Sequence, residues 1–292
     1  MNRFLGLGVA FFVAAALCAA GADKRIVLVA GRPSHGPGEH EYNAGSLLLK
    51  KCLDGVPGIQ AKVYTNGWPS NPKAFDGADA IVLYMDGGVD YPILQDHRLK
   101  DFDALMRQGV GLVCLHYAVE PTLSNGEKEF LDWLGGAYEL NWTVNPVWLA
   151  DFQTLPVHPI TRGVRPFAIK DEWYFNIRFR PNLKGVTPIL SAVPPESTMD
   201  RPDGPDSGNP AARAAVKRGD SQILAWACER VGGGRAFGFT GAHYHTNWGN
   251  DDFRKLVLNA IFWVAKVEVP VNGVKSKVSS QDLTEGLDPK GP

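Results

Sequence analysis

The sequence predicts a doubly wound α/β domain, a mostly parallel sheet flanked by helices. Two observations carry this expectation. Apolar, β-branched runs at residues 25–30, 80–85 and 111–115 lack polar alternation, as strands buried on both faces do. Segments between them place apolar residues at helical spacing, and strands alternating with amphipathic helices build parallel βαβ units.

The elements follow in order. Residues 1–22 have the layout of a secretory signal peptide: Arg3, an apolar stretch over 4–17, then small residues over 18–22. The expectation is an exported protein, periplasmic or extracellular, with no stable membrane insertion once the signal is removed. The domain then spans 23–267. Residues 268–292, polar and rich in Pro and Gly, read as a loosely attached tail. Within the domain, 25–30 is the first strand. A Gly/Pro/His loop leads to a helix with Ala44, Leu47, Leu48 and Cys52 on one stripe, stopped near Gly55 and Pro57. Strands follow at 60–64 and 80–85. Leu99, Phe102, Leu105 and Met106 mark a helix closed by Gly109, and the strand at 111–115 runs into His116. Past an irregular middle, 187–192 reads as a strand and 194–215 as a long surface loop. Residues 222–228 and 235–240 read as a hairpin across Gly232-Gly233-Gly234. The last helix carries Phe253, Leu256, Val257, Ala260, Ile261 and Val264 on one face, with Asn250 and Asp251 at its cap.

Composition narrows the function. With 45 % apolar and 21 % charged residues, disorder as the main state is excluded. Thirty basic against 31 acidic residues leave no basic excess for nucleic acid. Cys52, Cys114 and Cys228 remain after signal cleavage, each in an apolar pattern, so buried free thiols are expected rather than a disulfide framework. The glycine run does not lead into a helix, so no phosphate cradle and no nucleotide cofactor are expected. Nothing in the pattern sets an oligomeric state.

In a doubly wound sheet, ligands bind beyond the carboxyl ends of the strands. The unusual polar residues fall there: His35 and His40, Asp86-Gly87-Gly88, His116-Tyr117, and His243-Tyr244-His245 with Trp248. If strand geometry continues, His243 and His245 project to one side. With His116 they would offer three nitrogens to a divalent metal such as zinc. Glu172 and His40 are candidates for a further ligand or a general base, so His116, Glu172 and His40 form the expected catalytic set. A metal-free alternative is acid–base work by a histidine beside a carboxylate.

The chain resembles the ThuA-like (trehalose-utilisation) family, built on the class I glutamine amidotransferase-like fold. The residues that carry the resemblance are Gly38-Glu39-His40-Glu41, Gly111-Leu112-Val113-Cys114-Leu115-His116, His158-Pro159-Ile160-Thr161-Arg162-Gly163, Asp171-Glu172-Trp173-Tyr174 and Gly238-Phe239-Thr240-Gly241-Ala242-His243. The amidotransferase-like enzymes place a nucleophilic Cys on a turn after a central strand. Here His116 takes that position, Cys114 lies inside the strand, and His245 replaces the acidic residue expected two places after His243. Cys-dependent glutaminase chemistry is therefore not expected, because an activated thiol must be exposed beside a base. The resemblance implies a sugar-related role and a small carbohydrate partner. Asp86, Gly87, Gly88, Tyr117, Trp173, Tyr244 and Trp248 are the expected substrate contacts, with Trp173 and Trp248 as stacking platforms. The resulting expectation is an enzyme of carbohydrate catabolism acting on a sugar or keto-sugar by hydrolysis, elimination or isomerisation. The alternative is a non-catalytic carbohydrate-binding or accessory protein.

Overall fold

The computed structural model describes residues 23–291, so residues 1–22, expected above to be a signal peptide, lie outside the described residues. Strand β1 (Lys24–Ala30), helix α1 (Tyr42–Leu53), β2 (Ile59–Tyr64), β3 (Ala80–Tyr84), α2 (Arg98–Arg107) and β4 (Gly111–Leu115) follow the expected order. After them come α3 (Glu127–Trp133), β5 (Gly136–Ala137), β6 (Val147–Phe152), β7 (Phe167–Glu172) and β8 (Arg178–Phe179). The chain closes with β9 (Val186–Ala192), α4 (Pro210–Arg218), β10 (Gln222–Glu229), β11 (Arg235–Phe239) and α5 (Asp251–Val264). Seven strands form the main sheet in the order β2-β1-β3-β4-β11-β10-β9. The first five are mutually parallel, and β10 is antiparallel to both of its neighbours.

The unbroken apolar runs are explained by cover on both faces. Ile26 and Leu28 pack with Leu48, Leu49, Leu256 and Val257 of α1 and α5. Val27 and Val29, pointing the other way, pack with Phe102, Phe130 and Trp133 of α2 and α3. Asn250 caps α5 by accepting from the Asp252 and Phe253 amides at 3.0 and 3.1 Å. The carboxyl ends of β1, β3, β4 and β11 open onto one rim, and the β6–β7 pair brings Glu172 to it. Cys52, Cys114 and Cys228 are buried and free. Among the described residues no helix is long and apolar enough to cross a membrane.

Two expectations are corrected. Residues 210–218 are helix α4, not loop: the Asn209 side chain accepts from the Ala212 amide at 2.9 Å, Pro210 opens the helix, and Gly219 ends it at φ +69°. Pro at the first helical position after Asn is a start signal as much as a loop signal. The tail is also not loose. Val269 and Val274 are buried, and the chain returns across α1. There the Asp288 amide donates to Glu41 Oε2 at 2.8 Å, and Asn43 Nδ2 donates to Asp288 Oδ1 at 2.7 Å. Lys290 Nζ lies 3.3 Å from Glu41 Oε1, with side chains 5 % and 1 % exposed, and also donates to the Glu39 carbonyl. Removing one partner of a buried pair leaves an uncompensated charge. Lys290→Ala is therefore expected to cost about 3 kcal/mol in denaturant unfolding, whereas the exposed Lys277→Ala should stay within about 0.5 kcal/mol. Equal effects of the two would refute the strap.

Candidate metal centre

Four side chains meet on the rim from four separate segments. His40 ends the loop after β1, with its amide donating to the His243 carbonyl at 3.0 Å. His116 is the first residue after β4. His243 follows β11 through Thr240-Gly241-Ala242, and Glu172 ends β7. His40, His116 and Ala242 have φ of +45°, +55° and +83°. Left-handed backbone at non-glycine residues costs about 1–3 kcal/mol each and persists where surrounding structure over-determines it. Here it turns the chain sharply enough to aim the imidazoles inward.

Five of the six separations are short. His40 Nε2 is 2.9 Å from His243 Nδ1 and 3.1 Å from His116 Nε2. His116 Nε2 is 3.3 Å from His243 Nδ1. Glu172 Oε2 lies 3.3 Å from both His116 Nε2 and His243 Nδ1. The tautomers follow from the outer partners. His116 Nδ1 is 2.8 Å from the Thr240 carbonyl, which only accepts, so Nε2 carries the lone pair. His40 Nδ1 faces Asp86 Oδ1 at 3.1 Å, and Tyr42 donates to the same oxygen at 2.6 Å. His243 Nε2 faces Glu39 Oε1 at 3.6 Å. Three imidazole nitrogens and a carboxylate oxygen thus converge on one point, and they offer a donor set to a cation once any proton shared among them is displaced. These four residues form a group that could hold a metal ion. A histidine ligand fixed from behind by a carboxylate or carbonyl is the usual supporting arrangement.

The electrostatics suit ligation. Burial pushes His40 down to about 3, outweighing its hydrogen bond to Asp86, so the ring stays neutral. Burial alone would raise Glu172, but hydrogen bonds from His116 and His243 outweigh it and hold the carboxyl far below its usual range. For His243, burial lowers the value, but the hydrogen bond and charge of Glu172 outweigh it, and the net shift is upward. A ligand nitrogen must lose its proton to bind metal. His40 and Glu172 are already in the binding form at neutral pH, whereas His243 must give up a proton that Glu172 helps to hold. Zinc affinity by calorimetry is expected to be constant well above pH 7. It should then fall about tenfold per pH unit once pH drops below the raised His243 value. Affinity flat down to pH 5 would remove His243 from the ligand set.

Several expected site residues lie elsewhere. His245 is not in the cluster. It opens a 3-10 turn (His245–Gly249) rather than continuing a strand, and the left-handed Ala242 breaks the alternation that the i, i+2 reading needs. Its ring is buried with neither nitrogen hydrogen-bonded, and burial pushes it down to about 4. Trp173 and Trp248 are fully buried. The first packs on Phe152, Phe239 and Phe253, the second on Tyr84 and Phe253, so neither can stack on a sugar. Asp86 braces His40. Tyr117 and Tyr244 are half-buried at the rim, the Tyr117 ring 6.1 Å from that of His40 and the Tyr244 ring 4.7 Å from that of His243. Gly87 packs against the turn after β4: a Cβ there would sit 2.4 Å from the Tyr117 carbonyl. Cys114 is fully buried, and burial pushes its thiol up.

Other residues matter that the sequence reading passed over. Asp171, fully buried, accepts from the amides of Ala242 and His243 at 2.7 and 3.0 Å and from Asn247 Nδ2 at 3.0 Å. Tyr174 Oη lies 2.9 Å from His116 Nε2. Glu120, buried beside Gly88, has no cation within ion-pair distance among the described residues. The Asp171-Glu172 pair stands in the sequence within a family motif, where a site role was expected for Glu172 alone.

The comparisons agree with this architecture. The trehalose utilisation family, ThuA, matches residues 27–264. A ThuA-like protein from Bacteroides uniformis superposes with a TM-score of 0.58 at 15 % identity, covering 89 % of this chain and 95 % of its own. A ThuA-like protein from Parabacteroides merdae gives 0.55 at 15 % identity, covering 88 % and 94 %. At this identity the likeness establishes the fold. No curated protein matches the sequence. With the family match spanning every strand of the main sheet and all four converging side chains, the chain belongs to the ThuA (trehalose utilisation) family.

Proposed function

We propose that this chain is an exported, metal-dependent enzyme of carbohydrate breakdown acting on a sugar or keto-sugar. The observation that supports it most is the convergence of three imidazole nitrogens and one carboxylate oxygen within 4.8 Å of one another. The signal-peptide pattern supports export, and the family supports the carbohydrate. Nitrogen-rich donor sets with a carboxylate suit zinc or another first-row divalent ion. Bound there, the cation would polarise a carbonyl or hydroxyl oxygen.

The chain's own residues would do the rest. His40, His116, His243 and Glu172 hold the centre, so none of them is free to act as the general base. Glu120 is the available proton carrier. Burial, with the charges of Asp206 and Glu172 adding to it, pushes its carboxyl up to about 8, near the pH at which a general acid works best.

Metal analysis of untagged protein, with turnover of keto-disaccharides before and after chelation, tests the reading. Stoichiometric metal and chelator-sensitive turnover are expected. A metal-free protein would sink it, and a metalloprotein that binds the sugar but returns it unchanged would be an accessory binder. Glu120→Gln is expected to keep its metal while kcat falls about 100-fold or more. Unchanged kcat would assign proton transfer elsewhere.

A further inference from the structure

Five of the six separations within the ligand group lie between 2.9 and 3.3 Å. The sixth does not. His40 and Glu172 form no ion pair, although their ligand atoms lie within 4.8 Å. A four-coordinate tetrahedral ion with ligands at about 2.05 Å needs all six separations equal, near about 3.3 Å. An octahedral ion with ligands at about 2.1 Å needs neighbours about 3.0 Å apart and opposite ligands about 4.2 Å apart. Five short edges and one long one form the second pattern, because four corners of an octahedron that leave two adjacent corners open include one opposite pair and no more.

We infer that the centre holds its cation six-coordinate, with His40 opposite Glu172, His116 beside His243, and two adjacent positions left for a chelating pair of oxygens. Such a pair is the carbonyl and neighbouring hydroxyl of an α-hydroxyketone, which a keto-sugar presents. The inference rests on the metal-dependent reading above and narrows its substrate class from a sugar or keto-sugar to the keto-sugar.

The surroundings fit an entering ligand. His35, exposed, lies over His40 with ring centroids 3.6 Å apart, and half-buried Tyr244 stands against His243. The cluster is therefore reached past polar rings rather than sealed under aliphatic ones. The Tyr174 hydroxyl, 2.9 Å from His116 Nε2, is kept neutral by burial. It can donate a hydrogen bond to an oxygen held next to that ligand. Glu120 and Tyr117 flank Gly88 on the same rim, within 3.7 and 3.3 Å of where its Cβ would stand.

The test uses the full mature chain loaded with cobalt(II) and, separately, with manganese(II). The cobalt form is expected to show the weak visible absorption of six-coordinate ions. The manganese form should show two exchangeable waters by line broadening in oxygen-17 water. One equivalent of acetohydroxamate, a bidentate oxygen probe, should displace both. The intense absorption of four-coordinate cobalt, or a probe that displaces no water, overturns the inference. A protein that binds neither metal overturns it together with the metal-dependent reading. Six-coordinate, probe-displaceable metal without turnover of any keto-disaccharide leaves this inference standing and removes only the proposed reaction.

Discussion

Replacing His116 by alanine is expected to abolish metal binding. Its Nε2 lies within 3.3 Å of the ligand atoms of His40, His243 and Glu172, so it touches every other member of the group. Its Nδ1 is fixed by the Thr240 carbonyl, so the ring cannot turn away when a cation arrives. Loss of a residue that merely orients a ligand typically costs 10- to 100-fold in affinity. Loss of the ligand itself should cost at least about 100-fold, and turnover should fall to background. A ligand that binds only the folded state at a thousand times its Kd stabilises by about 4 kcal/mol. Chelation should therefore lower the Tm of the unsubstituted protein by about 10 °C and leave that of His116→Ala unmoved. The variant needs no refolding of the core, because the alanine side chain fits within the space vacated. Wild-type metal affinity in the variant would take His116 out of the centre.

Much of the architecture can be read from the chain because its signals are local. The runs containing Ile26 to Ala30, Ile81 to Leu83 and Leu112 to Leu115 are apolar without alternation because helices cover both faces. The Phe253, Leu256, Val257 stripe marks α5 for the same reason. Placing His40, His116 and His243 at one rim is also legible, since strand ends of a doubly wound sheet share an edge; Glu172 reaches it from the separate β6–β7 pair, which that rule does not cover. Orientation is not. The direction of His245 depends on one left-handed residue, Ala242, whose φ of +83° no side-chain pattern announces. Trp173 and Trp248 sit in polar motifs yet face inward, because β7 alternates buried and exposed positions and the turn before α5 folds under it. The tail reads as polar, but Lys290 and Asp288 meet Glu41 and Asn43 some 245 residues away, and no local pattern encodes such a pairing.

Asp171→Ala is expected to give the largest loss of stability of any single polar substitution near the site. The carboxylate is fully buried and satisfies five donors: the amides of Glu172, Ala242, His243 and Tyr244 at 2.9, 2.7, 3.0 and 3.4 Å, and Asn247 Nδ2 at 3.0 Å. A buried donor left without a partner costs about 1–3 kcal/mol. Not all five would be stranded, because Asn247 can turn to solvent and water can enter the space. A net cost of about 3–5 kcal/mol is therefore expected in denaturant unfolding. The same carboxylate is what keeps Ala242 in its left-handed conformation and so keeps Nδ1 of His243 in the ligand group. Metal affinity should fall alongside stability. Asp171→Asn separates the two causes in part, since its single carbonyl oxygen can still accept from the Ala242 amide that Oδ2 holds, while its NH2 replaces the Oδ1 that accepts from His243. It should recover a large part of the affinity while remaining less stable than the unsubstituted protein. If Asp171→Ala lost stability but bound metal normally, the loop after β11 would hold its shape unaided, and the role of Asp171 would be confined to the fold.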